Sequence, residues 1–170
     1  NGWGSADTGQ AWTTVGGVAG DYAVATGVGT ISHSSVAVVR GAHLATVSHK
    51  DIVVTATFRA GVVATGAAID MSLMARRADV DNHYFGVCRF DDDGTVTPII
   101  AKRVAAANTI IASTAAGFAY TASSDIGCEF IVTGSYLQMR VWATAPPTNT
   151  ITISGLDTTF AAAGTTGVRT

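Results

Sequence analysis

Several features that mark common functional classes are scarce in this sequence. Only 13% of its 170 residues are charged and the formal net charge is -2. The chain therefore lacks the basic field that binding to a phosphate backbone requires, and we predict no nucleic-acid partner. The long uncharged run over 104–124 is interrupted by polar residues and glycine, so we predict strands and a turn there and no membrane span.

Cysteine is also rare, which limits both covalent and redox roles. Cys88 and Cys128 are too few for a disulfide framework, and no CxxC pair is present. We predict two buried free thiols, with a bridge between them as the alternative. The sequence starts at Asn1 without an initiator methionine or a signal peptide, so we expect one domain over 1–170, cut from a longer polypeptide.

The motifs of common enzymes are missing. A glycosidase uses two carboxyl groups across the scissile bond, but Glu129 is the single glutamate and Asp125 lies four positions away. The sequence has no GxSxG elbow, no HExxH pair and no phosphate-binding glycine loop. We therefore predict no catalytic activity, and leave open a polysaccharide hydrolase whose carboxylates come from distant strands.

What the sequence has in abundance is alternation of apolar and polar residues, which is typical of half-buried strands. It is clearest in "DIVVTATFR" (51–59), "AIDMSLMAR" (68–76) and "YLQMRVW" (136–142). In the second segment one face is predicted to hold Ile69, Met71, Leu73 and Ala75, and the opposite face Asp70, Ser72, Met74 and Arg76. Turn signals occur near Gly41, Pro146, 91–94 and 133–135. This pattern predicts an antiparallel β-sandwich or barrel.

The densest group of polar side chains is "RRADVDNHYF" (76–85). Because it lies between two patterned segments, its first predicted role is a hairpin turn. Asp79, Asp81 and Asn82 also offer oxygen ligands to calcium, with Asp79 and Asp81 as the metal candidates. A sugar could use the same groups together with His83, while Tyr84 stacks on the ring. The five residues from Asp79 to Tyr84 that carry these groups are our predicted carbohydrate site.

Three parts of the chain resemble one known family. The opening "GWGSADTGQAWTTVGG" brackets a glycine-rich turn with two tryptophans, and "ARRADVDNHYFGVCRFDDDGTVTPIIAKR" has a strand, polar loop, aromatic strand, Asp-Gly hairpin and strand in that order. The end has "GSYLQMRVWATAPP" and "LDTTFAAAGTTGVR". These segments are similar to the concanavalin A-like, laminin-G-like jelly rolls found in minor tail proteins of actinobacterial phages.

The resemblance implies a concanavalin A-like jelly roll that acts as a non-catalytic carbohydrate-recognition or host-adhesion module of a phage tail-type protein. It implies a location on the virion surface or outside the cell. The implied partners are a glycan or cell-surface polysaccharide and other domains of the same protein, with a homo-oligomer left open. The glutamate-rich strand of the glucanases and the metal-binding acidic loop of legume lectins are absent.

By the same analogy the loop over 79–84 lies at the rim of the sandwich, where ligands of this superfamily often bind. Trp3, Trp12 and Trp142 are expected to pack, with exposed sugar platforms as the alternative. The main rival function is a purely structural or assembly domain of a virion protein, which binds no glycan.

Overall fold

The computed structural model describes residues 2–33, 35, 38–143 and 149–170. In this part the chain forms fourteen strands and one short 3-10 helix, Ala19–Asp21. The strands are β1 (Trp12–Val15), β2 (Tyr22–Ala25), β3 (Val28–Ile31), β4 (Gly41–His49), β5 (Ile52–Arg59), β6 (Ile69–Asp79), β7 (Asn82–Phe90), β8 (Thr95–Val104), β9 (Ala107–Ser113), β10 (Phe118–Ala119), β11 (Asp125–Thr133), β12 (Tyr136–Ala143), β13 (Ile151–Leu156) and β14 (Gly164–Arg169).

The strands form two main sheets. The large sheet has the order β1, β4, β14, β6, β7, β8, and β9 and β10 both pair with β8. The small sheet has the order β13, β12, β11, β5, and β2 and β3 form a separate hairpin. All these pairings are antiparallel. The predicted all-β fold, an antiparallel β-sandwich of the concanavalin A-like jelly-roll type, is confirmed.

The core lies between the inner faces of the two sheets, because every second side chain of a strand points the same way. Tyr84 and Phe90 of β7 are fully buried there, together with Phe130 and Met139 of the small sheet. Gly86 lies between these residues in β7. A Cβ atom on Gly86 would be 2.7 Å from both the ring of Phe130 and the sulfur of Met139. A glycine at this position therefore allows the two sheets to approach closely.

The predicted alternation holds in two of the three segments. In β5 half-buried residues alternate with exposed ones, and in β12 buried residues alternate with half-buried or exposed ones. β6 differs, because Ser72, Met74 and Arg76 are as buried as the residues between them. For Met74 the reason is a second apolar cluster on the outer face of the large sheet, which consists of Met74, Phe85, Val87, Ile99 and Ala101. Arg76 is buried because its guanidinium turns to the carbonyl of Phe160, to which it donates at 2.7 Å. The prediction that this face of β6 points to solvent was wrong.

The turn predictions had mixed results. The segments 91–94 and 133–135 connect neighbouring strands, and the amide of Gly94 donates to the carbonyl of Asp91 at 3.1 Å, as in a hairpin turn. The turn predicted near Gly41 was wrong, since this glycine begins β4. A Cβ atom there would lie 2.8 Å from the carbonyl oxygen of Val168, so glycine allows β14 to approach. The turn predicted near Pro146 lies outside the described residues.

The two cysteines lie on facing sheets, Cys88 on β7 and Cys128 on β11. Both are buried and free, as predicted. Burial raises the pKa of the Cys88 thiol well above its ordinary value, and the neighbouring thiol of Cys128 adds to this effect. The Cys88 thiol is therefore protonated and unreactive at neutral pH.

No helix among the described residues is long and apolar enough to cross a membrane.

Candidate functional site

The polar loop over 79–84 forms the turn of the hairpin between β6 and β7, which was the first role predicted for it. One carboxylate oxygen of Asp79 accepts hydrogen bonds from the backbone amide of Asp81 at 2.8 Å and from the side chain of Asn82 at 2.9 Å. These two bonds lower the pKa of Asp79. The carboxylate therefore closes the turn in the way that aspartate commonly does.

The other oxygens of the loop also have partners within the chain. A carboxylate oxygen of Asp81 lies 3.0 Å from the guanidinium of Arg103, and the amide oxygen of Asn82 accepts from the backbone of Ala105 at 3.2 Å. In the described part of the chain, no three His, Cys, Asp or Glu side chains are placed to share a metal ion. Calcium binding through Asp79 and Asp81 stays a prediction.

Tyr84 and His83 point to opposite faces of the large sheet. Tyr84 is fully buried on the inner face, with the ring of Phe160 edge-on at 4.9 Å. Its hydroxyl donates to Asp157 at 2.7 Å and accepts from the amide of Phe160 at 3.0 Å. Because the ring has no exposed face, Tyr84 does not fit the stacking role that we predicted for it.

Asp157 is the centre of a polar network around Tyr84. Its second oxygen accepts from the ammonium of Lys102 at 2.5 Å, and the amide of Thr159 donates to its first oxygen at 2.8 Å. Burial opposes ionisation of Asp157, but the hydrogen bonds from Lys102, Thr159 and Tyr84 outweigh it and hold its pKa far below the usual range. Burial raises the pKa of Tyr84 to about 12. Each charge in this network has a partner of opposite charge.

His83 lies on the outer face and is also buried. Its Nε2 atom is 3.0 Å from a guanidinium nitrogen of Arg169. Burial, and after it the charge of Arg169, lowers the pKa of His83 to about 4. The imidazole is therefore neutral at pH 7, and because arginine can only donate, Nε2 is the acceptor and Nδ1 carries the proton.

Around His83 the outer face forms a cavity of about 320 Å³, which we call the arginine cavity. Three cations line it with His83: Arg77 near the end of β6, Arg103 on β8 and Arg169 on β14. No carboxylate lines it in the described part of the chain. Its volume lies near the lower end of the roughly 300–1,000 Å³ that is typical of small-molecule sites. The rest of the wall is largely apolar and includes Val15, Val39, Met74 and Val80.

The charge in the arginine cavity is poorly neutralised. Arg169 is only 9% exposed, and its guanidinium lies 4.7 Å from the centre of the Phe85 ring. Burial and then the charge of Arg103 lower the pKa of Arg169, while Asp70 opposes this shift. Burial also lowers the pKa of Arg77, and Asp79 opposes it. Desolvation therefore acts on both guanidinium groups more strongly than any counter-charge does.

A second cavity of about 640 Å³ lies beside the β2–β3 hairpin. Its walls include Trp3, Phe58 and Met71, and its polar part includes Arg59, Arg169 and Asp125. Arg59 and Asp125 form a two-pronged ion pair at 2.7 and 2.8 Å. This cavity offers apolar surface, but Asp125 largely neutralises Arg59, which leaves Arg169 as its one cation without an ion pair among the described residues, whereas Arg77 and Arg169 both lack one in the arginine cavity. We therefore consider the arginine cavity the better site for a charged ligand.

The tryptophans mainly pack, as we expected. The indole of Trp3 donates to the carbonyl of Thr30 at 3.0 Å and meets Trp12 edge-on, with ring centres 5.3 Å apart. Trp142 covers Gly127, where any Cβ atom would collide with the indole, and Arg140 stacks over it at 5.1 Å. Trp3 also lines part of the second cavity.

Among the described residues, neither cavity contains two carboxylates. The arginine cavity has none and the second cavity has Asp125, already paired with Arg59. The geometry that a glycosidase requires is therefore not formed in either.

Sequence reasoning missed the three arginines. It placed the site on five residues of the loop, and of these five His83 alone lines the cavity. One signal was available: the hairpin at 91–94 sets β7 against β8 and places His83 opposite Arg103.

The fold and the cavities describe a β-sandwich of the jelly-roll class with a ligand-sized, positively charged cavity on one sheet. Among solved structures, the chain is similar to the carbohydrate binding module CBM66 from Bacillus subtilis, with a TM-score of 0.66 and 17% sequence identity. The match covers 94% of this chain and 86% of the module. At this identity the likeness shows the fold alone. No family model and no curated protein matches the chain.

Proposed function

We propose that this protein is a non-catalytic carbohydrate-recognition domain that binds its glycan in the arginine cavity. The observation that carries the proposal is the cavity itself, where Arg77, Arg103 and Arg169 line one small space with apolar side chains. Polar groups that fix a ligand and an apolar wall that packs against it are the usual composition of a binding site. The likeness to a carbohydrate binding module supports the proposal.

Two arguments support recognition without catalysis. Neither cavity brings two carboxylates together in the described residues. The side chains that line the arginine cavity are donors that are held in place by packing, such as Arg169 over Phe85. Such groups bind and orient a ligand but offer no acid and nucleophile pair for glycoside cleavage.

We further propose that the domain is a host-adhesion module of a phage tail-type protein, on the virion surface or outside the cell. The support is the resemblance of the segments 2–17, 75–103, 134–147 and 156–169 to domains of that kind. Other domains of the same protein would then carry it, and a cell-surface polysaccharide would be its target.

A glycan panel that includes bacterial cell-wall polysaccharides tests the proposed function, with the purified domain measured once in calcium and once in chelator. We expect selective binding to a small group of glycans. The variant Arg103→Gln should weaken this binding, while Arg140→Gln on the opposite sheet should not. If the folded domain binds no glycan in either condition, the function is wrong and an assembly role replaces it. Loss of binding in chelator alone would add calcium to the site.

A further inference from the structure

We propose that the ligand of the arginine cavity carries a carboxylate, so that the domain recognises an acidic sugar such as a uronic or sialic acid. This inference rests on the proposed glycan-binding function and specifies the class of glycan. It comes from the charge balance of the molecule rather than from the polar loop.

The eight arginines of the chain divide into two groups. Six of them lie within 4 Å of a carboxylate: Arg40, Arg59, Arg76, Arg89, Arg103 and Arg140. Arg77 and Arg169 form no ion pair among the described residues, and both line the arginine cavity. The residues outside the described part carry no acidic side chain that could supply one. The two unpaired guanidinium groups therefore share one space.

Burial makes the lack of a partner costly. A charged side chain that leaves water without a counter-charge loses favourable solvation, so buried charges are normally paired. Arg169 is 9% exposed, and its guanidinium meets a neutral imidazole nitrogen and the face of Phe85 but no carboxylate among the described residues. An anion in the cavity would remove this cost, and the same energy would then contribute to binding.

The third cation already shows what kind of group fits. Arg103 is paired with Asp81 at 3.0 Å, at the edge of the same cavity. A guanidinium presents parallel N–H donors that match the two oxygens of a carboxylate. Because Arg103 holds one such group from the chain itself, a second carboxylate would be shared by Arg77 and Arg169.

The rest of the wall favours a sugar over a bare anion. Val39 and Val80 are about half exposed at the rim, at 51% and 49%, and Met74 lies beneath. A small ion would leave these apolar surfaces in water, whereas a sugar ring can cover them with its C–H groups. The volume of about 320 Å³ leaves room for a ring as well as its carboxylate.

Calorimetry with acidic oligosaccharides and their carboxyl-reduced counterparts tests the inference. Suitable probes are oligogalacturonate, oligomannuronate, a hyaluronan tetrasaccharide and sialyllactose, because reduction replaces each carboxylate by an alcohol and keeps the ring. We expect at least one acidic probe to bind, and its reduced form to bind at least tenfold more weakly. Arg77→Gln should cause a similar loss, while Arg140→Gln, which removes the same charge from the other sheet, should cause none.

Each other outcome has a defined meaning. Equal binding of the acidic and reduced forms, or an unaffected Arg77→Gln variant whose melting temperature shows that it is folded, overturns the inference and leaves glycan binding intact. Binding of glucose 6-phosphate or glycerol phosphate oligomers in place of the carboxylates also overturns it. If no glycan of the broad panel binds at all, the proposed function has failed and the inference fails with it.

Discussion

Two neighbouring residues of β7, His83 and Tyr84, belong to polar sites that differ in charge balance. On the inner face, Tyr84 joins Asp157 and Lys102 in a network where charges are matched. On the outer face, His83 meets Arg169 in a cavity where cations outnumber anions. Both sites use side chains of β7 and β8, with Tyr84 and Lys102 on the inner face and His83 and Arg103 on the outer face.

The comparison shows how structural and binding roles can be distinguished without a ligand. A matched network lowers the energy of the folded chain, so it serves the fold. A set of buried cations without counter-charges raises the energy of the folded chain and so lowers its stability. An anionic ligand that binds there would restore this stability. Removing a charge should therefore have opposite effects on the two faces.

The largest effect is expected from breaking the inner network with Asp157→Ala. Lys102, Tyr84 and the amide of Thr159 would each lose an acceptor, and a charge would be left unpaired. The free energy of unfolding should fall by about 4 kcal/mol. Urea denaturation measures this, with Asp92→Ala in an exposed turn as the control. A fall below about 1 kcal/mol would show that the network does not stabilise the fold.

The second effect is a pH dependence that comes from His83 on the outer face. Its pKa of about 4 in the folded chain is below the ordinary histidine value of 6.5 because of burial and the charge of Arg169. Arg77 and Arg103 lower the pKa further, and a backbone hydrogen bond with Asp79 opposes the shift. As pH falls below about 6.5, His83 becomes protonated in the unfolded chain but stays neutral in the folded chain. Stability should therefore drop by up to about 3 kcal/mol between pH 6.5 and 4.

The variant His83→Gln separates this effect from that of the inner face. Asp157 has a lowered pKa, so it stabilises the fold at every pH above the ordinary aspartate pKa of 3.8. This contribution is lost only when the pH falls below that value. Denaturant midpoints between pH 6.5 and 4 should thus be flatter in the variant than in the natural chain. An identical slope would show that His83 does not titrate as the structure indicates.

The smallest effect has the opposite sign. Arg77→Gln removes a partly buried cation that has no ion pair among the described residues, so the free energy of unfolding should rise by about 0.5–1 kcal/mol without ligand. Arg140→Gln breaks a half-exposed pair with Glu129 and should leave stability equal or slightly lower. Thermal melts of both variants test the contrast. A clear loss of stability in Arg77→Gln would mean that the cation is structural.

Much of the inner face was predictable from local sequence. Alternation identified β5 and β12, and the turn at 91–94 fixes the register of β7 against β8. Once that register is known, Tyr84 opposes Lys102 on the inner face, and His83 opposes Arg103 on the outer face. These features depend on alternation and turn residues within short segments, which can be read from the sequence alone.

Most of the arginine cavity was not predictable, for two physical reasons. Arg169 reaches the site because β14 inserts between β4 and β6, and local patterns do not encode a pairing between such distant segments. The register also shifts after Ala75, and Arg76 has a positive φ of 47°. This irregularity turns Arg76 toward the carbonyl of Phe160 at 2.7 Å, and Arg77 lines the cavity instead. An alternating pattern of apolar and polar residues does not predict such a register shift.

The most direct test of the account follows the arginine side chains by NMR while the acidic oligosaccharide that binds best is added. We predict that the Nε–H signals of Arg77, Arg103 and Arg169 shift together with one affinity, while that of Arg89, which is paired with Asp70, stays in place. Binding accompanied by shifts at Arg59 in the second cavity, with Arg77 and Arg103 unchanged, would contradict the account.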